Sequence, residues 1–186
     1  VLSGSLTSVG TDAFRGCSSL TNVNYNGDIG SWCNITFGSY FANPLHMGAD
    51  LYIGEIVTAF VIPDTVTELK PYVLYNCRSI TSITIPDSVT SIGGLAFTSC
   101  ENLISVVIGD RVGTIGNSTF GDCTGLTSVY YKGTPSEWET ISMGSSNEKL
   151  KNATRYYYIE NELDVPKDCG NYWHYLAGEI KVWDTH

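Results

Sequence analysis

Residues 80–100, ITSITIPDSVTSIGGLAFTSC, and residues 103–123, LISVVIGDRVGTIGNSTFGDC, are one sentence written twice at an offset of 23. Leu74, Phe97 and Phe120 share that spacing, as do Cys77, Cys100 and Cys123, and as do Ile83, Val106 and Val129. A fixed period between about 20 and 50 residues marks a solenoid, in which each unit buries its apolar face only against its neighbours. The fold class expected is therefore a β-rich repeat solenoid of 23-residue coils with one continuous core.

Within a coil, Leu103, Val106 and Ile108 follow the strand pattern L-x-x-L-x-L and are expected to point inward. Gly109-Asp110, or Pro86-Asp87 one coil earlier, breaks that strand. The stretch from Val112 to Ile115 then runs back as a second, shorter strand, and a turn through Ser118 leads to Cys123. Phe97 and Phe120 close their coils as apolar staples. One copy departs from the pattern, because Lys70-Pro71-Tyr72-Val73-Leu74 stands where the others carry a Gly-rich turn. Pro71 has no backbone N–H, so that coil is expected to be locally irregular.

The phrase recurs upstream as Leu6-Thr-Ser-Val9, Phe14, Cys17 and Leu20. Between the upstream copy and the main array lies a longer stretch with a partner of its own. Tyr25-x-Gly27, Trp32 and Ile35 reappear as Tyr131-x-Gly133, Trp138 and Ile141. Longer inserted modules are therefore expected at about 25–59 and 131–159, within a solenoid of residues 1–159, followed by a linker and capping hairpin over 160–186.

The pattern S-V-T-S-I-G-x-x-A-F-x-x-C over residues 88–100 resembles the BspA-like class of bacterial leucine-rich repeats. The resemblance is strongest over residues 6–25 and 60–131. It implies a leucine-rich-repeat array on a secreted or cell-surface bacterial protein that works by binding, often in adhesion. Separately, the residues form no catalytic constellation, so neither catalysis nor a cofactor is expected.

Bulk properties exclude several classes. A formal charge of −9, a pI near 4.6 and only 10 basic residues leave no basic face for nucleic acid. No apolar run approaches the roughly 18 residues that cross a bilayer, and no signal-peptide pattern opens the chain. Val1 begins inside a repeat, so a mature or trimmed fragment is expected, with its N-terminal cap upstream. Asn34, Asn117 and Asn152 stand in N-x-S/T sequons, which are discounted for a bacterial source.

Of the six cysteines, Cys77, Cys100 and Cys123 recur at the repeat period, and a periodic position is a packing position. Buried free thiols are expected there, the rival being a disulfide between adjacent coils. Zinc held by Cys169 and His174, or by Cys33 and His46, lacks any C-x-x-C pairing. A Cys-His nucleophile pair lacks a third, orienting group, and G-x-S-x-G and H-E-x-x-H are absent.

The tail abandons the repeat. Residues 172–183, YWHYLAGEIKVW, read as a hairpin turning at 177–179, with Trp173, Tyr175, Ile180 and Val182 on one face. That face is expected to cover the last coil, leaving Tyr172, His174, Lys181 and Trp183 outward. The functional rival is a sugar-stacking platform of Trp173 and Trp183, with Tyr156, Tyr157 and Tyr158 beside it.

Function then falls to the strand residues between the inward ones. Thr81, Ser82 and Thr84, then Ile104, Ser105 and Val107, then Thr127, Ser128 and Tyr130, should align as rows across a parallel sheet. They are small, β-branched and uncharged, and they contain no acid, base or nucleophile with a partner. The expected function is a protein-binding or adhesion face taking a protein or other cell-surface ligand, against the alternatives of a carbohydrate-binding accessory module taking a glycan and a structural spacer.

Overall fold

The computed structural model describes residues 1–166 and 170–183, and Cys169 and His186 lie outside them. The 23-residue period becomes register. Strands β1 (Ser8–Val9), β2 (Asn22–Asn24), β3 (Thr36–Phe37), β4 (Asp50–Ile53) and β5 (Glu55–Ile56) form the N-terminal part. There β1 pairs parallel with β3 and β2 with β4, while β4 turns back antiparallel on β5. The main array follows as β6 (Ala59–Val61), β7 (Glu68–Leu69), β8 (Ser82–Ile85), β9 (Ser91–Ile92), β10 (Ser105–Ile108), β11 (Thr114–Ile115), β12 (Ser128–Tyr131), β13 (Ser142–Met143) and β14 (Thr154–Tyr158). The chain ends in β15 (Tyr172–Leu176) and β16 (Glu179–Val182).

Each coil contributes one long and one short strand. The long strands make a seven-stranded sheet in the order β16-β15-β14-β12-β10-β8-β6, and the short ones a four-stranded sheet in the order β13-β11-β9-β7. Between the sheets the inward residues stack by kind: Ile83, Val106 and Val129 are fully or almost fully buried, as are Leu69, Ile92 and Ile115. Phe97 and Phe120 meet with ring centroids 5.1 Å apart, and neither is exposed. One apolar cluster runs from Val23 to Leu150.

The turn that closes each coil repeats in backbone angle as well as in sequence. Tyr72, Leu95 and Ser118 hold φ of 67°, 59° and 54°, and four residues on Asn76, Ser99 and Asp122 hold 57°, 60° and 56°. Left-handed geometry at two non-glycine positions per coil is uncommon, and it persists because the neighbouring coil fixes it through bonds such as Leu74 N–H to Ala96 O and Asn76 N–H to Thr98 O. The irregularity expected at Pro71 does not occur. Its nitrogen faces the Cα of Gly93 in the next coil, where an added Cβ would sit 2.5 Å away, and Gly94 backs on Gly116 in the same way. A position whose nitrogen abuts a neighbour's Cα tolerates the lost donor.

The long stretches are coils of the same array rather than insertions between coils. Thr114 pairs with Ser142 across an offset of 28 where Ser91 pairs with Thr114 across 23, and the extra residues are taken up by short helices. Helices α1 (Ile29–Cys33) and α2 (Pro135–Trp138) occupy corresponding places, and α3 (Glu148–Asn152) fills the last turn. Both α1 and α2 begin with a capping box, Asp28 with Ser31 and Thr134 with Glu137. The Tyr-x-Gly…Trp motif has a packing reason. Tyr25 meets Trp32 edge-on at 5.2 Å and Tyr131 meets Trp138 at 5.2 Å, and each tyrosine ring lies where a Cβ on Gly27 or Gly133 would be, 2.5 and 2.6 Å away.

The two sheets that contain β4 and β6 are not hydrogen-bonded to each other, so a seam crosses the array there. Side chains bridge it. Trp32 Nε1 donates to the Val73 carbonyl at 2.8 Å, and Lys70 Nζ donates to the Asn34 carbonyl at 2.7 Å.

Cys33, Cys77, Cys100 and Cys123 are buried free thiols, and Cys17 is a free thiol at the surface. Two of the column donate to the preceding coil, Cys100 Sγ to the Leu74 carbonyl at 3.2 Å and Cys123 Sγ to the Phe97 carbonyl at 3.1 Å. Burial pushes the Cys77 and Cys100 thiols above their ordinary value, and Cys33 is pushed up to about 12 by burial and then by Asp28. Because the folded state holds these thiols neutral, they stabilise it fully below the unfolded thiol pKa near 9, and that stability drains away as pH rises beyond it.

Two outcomes follow from this packing. Phe97→Ala removes a staple shared by neighbouring coils and should destabilise by about 3–5 kcal/mol in chemical denaturation; a loss below about 1 kcal/mol would show the staple to be dispensable. A thiol reagent at neutral pH should modify Cys17 in the native protein and reach Cys33, Cys77, Cys100 and Cys123 only after unfolding. Rapid native labelling of the column, or a cross-link within it by non-reducing mass mapping, would contradict this arrangement.

Candidate functional site

Alternation along the long strands turns every second side chain to the outer face of the seven-stranded sheet. Register sets Ser82, Ser105 and Ser128 in one row, between Ala59 and Thr154. Thr84, Val107 and Tyr130 form the next row, between Val61 and Tyr156. Thr81 and Thr127 stand exposed at the strand entries, and each hydroxyl donates to the carbonyl one coil back, Thr58 at 3.1 Å and Ile104 at 3.3 Å. The serines of the first row and Thr84 are half-buried.

The two rows differ in access. Val107 is only 4% exposed although it lies outside the main core, and its row neighbour Tyr130 belongs to an aromatic group on this face. Tyr130 stacks on Tyr156 at 5.0 Å, and Trp173 meets Tyr130 at 5.6 Å, Tyr158 at 5.1 Å and Tyr175 at 4.9 Å. Trp173 Nε1 donates to the Tyr131 carbonyl at 3.0 Å, which fixes the ring.

This position corrects the expected hairpin. Trp173 pairs with Val182 and Tyr175 with Ile180, so the four share a face, and Trp173 and Tyr175 meet Tyr158 of the last coil, but the hairpin does not close the stack as a lid. Instead β15 adds parallel to the edge of β14, with Tyr157 opposite Tyr172 and Tyr158 opposite Trp173. An open strand edge offers unsatisfied N–H and C=O groups along its length, and pairing satisfies them where a side-chain lid would not. Tyr172, expected outward, is buried, while Tyr175 and Val182 remain exposed. At the last coil's inward position stands Arg155, opposite Val129, with its guanidinium 4.2 Å from the Trp138 ring centre. The turn at Ala177 and Gly178 has φ of 52° and 83°, as a type I′ hairpin requires.

Of the sugar-stacking pair, Trp173 is closed off and Trp183 is partly engaged. Trp173 has no exposed surface, and Trp183 stacks one ring face on His174 at 3.8 Å and 11° while its Nε1 donates to the Ile159 carbonyl.

Beyond the rows, at the C-terminal rim of the strands, lies a charged group that the sequence reading passed over. Lys132 Nζ contacts Asp87 Oδ2 at 2.9 Å, and Asp110, Tyr158 and Tyr175 complete a recess of about 240 Å³. Burial would lower the Lys132 pKa, but the hydrogen bond and charge of Asp87, with Tyr175 beside it, hold it above its ordinary value. The signal was present as Asp64, Asp87 and Asp110, spaced by 23, with Lys132 in the next coil.

Among the described residues no group of three His, Cys, Asp or Glu is placed to hold a metal. His46 is buried with Nδ1 at 3.0 Å from the Asn43 carbonyl, and Cys33 sits in the core, while Cys169 lies outside the described residues. No described helix is long and apolar enough to cross a membrane. What this face offers is hydroxyls, aromatic rings and one charged rim.

A stack of parallel coils with one long and one short strand each defines a leucine-rich-repeat solenoid with a curled parallel sheet. The chain belongs to the BspA type leucine rich repeat region family, which matches in 6 copies over residues 1–43 and 46–158, so the long coils fall inside the family as well. Two solved structures are similar. The T. pallidum leucine rich repeat protein has 18% identity and a TM-score of 0.42, over 55% of this chain and 58% of that one. A leucine rich cell surface protein from Faecalibacterium prausnitzii A2-165 has 16% identity and a TM-score of 0.30, over 73% of this chain and 66% of that one. The chain thus spans less than two thirds of either. No curated protein matches it.

Deleting residues 171–186 should bare the β14 edge together with Tyr130, Tyr156 and Val107. The truncated chain is expected to melt earlier and to self-associate in size-exclusion chromatography. Unchanged melting and a monomeric profile would show that the hairpin contributes nothing to the array.

Proposed function

We propose that this chain is a non-catalytic binding module of a secreted or cell-surface bacterial protein, and that it takes a protein partner on the outer face of the seven-stranded sheet, as an adhesion module does. The observation that carries this reading is the in-register row of Ser82, Ser105 and Ser128, with Thr84 beside it and Thr81 and Thr127 at its entry. A row of short, uncharged, hydrogen-bonding side chains lets a partner approach closely, whereas an enzyme needs titratable groups converging on one point. Tyr130 serves this face indirectly, since it packs against Trp173, and its row neighbour Val107 is buried and offers no contact surface of its own. Exposed Val61 and Ile104 add apolar contact at its margins. The family, a repeat scaffold, agrees with binding rather than turnover.

The test uses the chain displayed as a multimer on streptavidin, because one small module is expected to bind weakly and several together to gain by avidity. Panels of immobilised cell-surface and matrix proteins, a glycan array and broad hydrolase, transferase and oxidoreductase substrates are probed in parallel. Saturable protein binding is expected, lost in the double variant Ser105→Lys with Ser128→Lys while its melting temperature stays unchanged, and no substrate should turn over. Glycan binding without protein binding would replace this reading with the carbohydrate one. Turnover that disappears on mutating Cys33 or His174 would end it.

A further inference from the structure

We propose that the rim recess formed by Asp87, Asp110, Lys132, Tyr158 and Tyr175 is an anchor for an arginine side chain of the protein partner. The inference rests on the outer face being a protein-binding surface and names the partner's chemistry at one end of it. Four observations converge on a guanidinium.

The first is size. At about 240 Å³ the recess lies below the range of about 300–1,000 Å³ typical of small-molecule pockets, so it admits one side chain rather than a whole ligand. The second is charge. Two carboxylates face one ammonium, so the recess keeps an excess negative charge on a chain of net charge −9. The third is the hydrogen-bond inventory. Asp87 Oδ2 accepts from Lys132 Nζ while the Asp87 side chain stays 48% exposed, and its Oδ1 has no hydrogen-bond partner. Asp110 is exposed, and its carboxylate is open to a further donor. The fourth is the wall. Tyr158 and Tyr175 stand 6.3 Å apart at 50°, and the Trp173 ring backs both, at 5.1 and 4.9 Å.

A guanidinium answers all four. It is planar, carries five donors in a fixed fork, stays charged, and stacks on aromatic faces. A second ammonium beside Lys132 would bring fewer donors and no planar face. A neutral sugar would leave the excess charge uncompensated. The recess opens at the rim of the sheet, one step beyond the row of Thr84 and Tyr130, so a partner segment lying on the rows can place its arginine there.

The test is an NMR titration of the whole chain with N-acetyl-arginine N-methylamide, run beside the neutral isostere N-acetyl-citrulline N-methylamide and methyl glucoside. Saturable shifts are expected at Lys132, Tyr158 and Tyr175 in the millimolar range, weakening as salt is raised. The citrulline compound should bind about tenfold more weakly, and Asp110→Asn should weaken the arginine compound by about the same factor. Lys132→Met gives the discriminating sign. Removing the resident cation frees Asp87, so arginine should bind several-fold more tightly, whereas a sugar would lose a donor and bind less well.

No saturable shift, equal binding of the citrulline compound, weaker binding to Lys132→Met, or methyl glucoside shifting the same residues would each overturn the inference. The Ser105→Lys, Ser128→Lys variant separates this failure from failure of the broader reading. If it loses the protein partner while the wild-type chain ignores the arginine compound, only the anchor is wrong; if the arginine compound binds but no protein capture depends on the rows, the face has been misread and the anchor with it.

Discussion

Every element of this molecule depends on parallel backbone pairing between successive coils. A single coil has one long strand, one two-residue strand and a turn, which is too little apolar surface to hold itself together. Pairing Ser82 with Ser105 and Ser105 with Ser128 satisfies the strand backbones, and the same register brings Ile83, Val106 and Val129 into one buried column. Hydrogen bonding and burial are thus secured by one geometric act, and neither survives a slip. A shift by one residue would send the serine row inward and the aliphatic column to water.

The turns show how strongly that act overrides local preference. Left-handed backbone at Leu95 and Ser99 is unfavourable for either residue alone, yet each turn amide is held by a carbonyl of the adjacent coil, as Leu95 N–H is by Asn117 O. Pro71 is absorbed for the same reason, since the neighbouring coil presents a glycine Cα to its nitrogen. The cysteine column fits this logic too. A thiol is small enough for the inner corner of the coil, and Cys100 and Cys123 each send a weak donor to the preceding coil, so the column reads as packing rather than redox chemistry.

At the C-terminal end the same demand for pairing shapes the functional face. The exposed edge of β14 recruits β15 as a further strand, and Trp173 then packs against Tyr130 and Tyr158. Tyr175, carried on the same hairpin, closes one side of the recess in which Lys132 meets Asp87. Edge protection and the walls of the site come from one hairpin. Its other consequence is that Trp173, the most obvious sugar-stacking candidate on composition, has no face left to offer.

The sequence by itself determined the architecture, because periodic packing leaves a periodic record. Phe97 with Phe120, Cys100 with Cys123, and the inward aliphatics are legible at 23 residues since each must meet its equivalent in the next coil, and the serine row follows from alternation between them. Even the rim carboxylates Asp87 and Asp110 sat in that record unread. Only the tertiary structure decided what has no period. That the long Tyr-x-Gly…Trp stretches are stretched coils depends on how α1 and α2 absorb residues between strands already in register. That Lys132 reaches Asp87, 45 residues away, depends on how the coils stack, and that the tail joins the sheet as a strand instead of lying over the last coil as a lid depends on which backbone groups were left unsatisfied. Local sequence encodes which face of a strand is apolar; which open edge a non-repeating segment will satisfy is a property of the assembled stack.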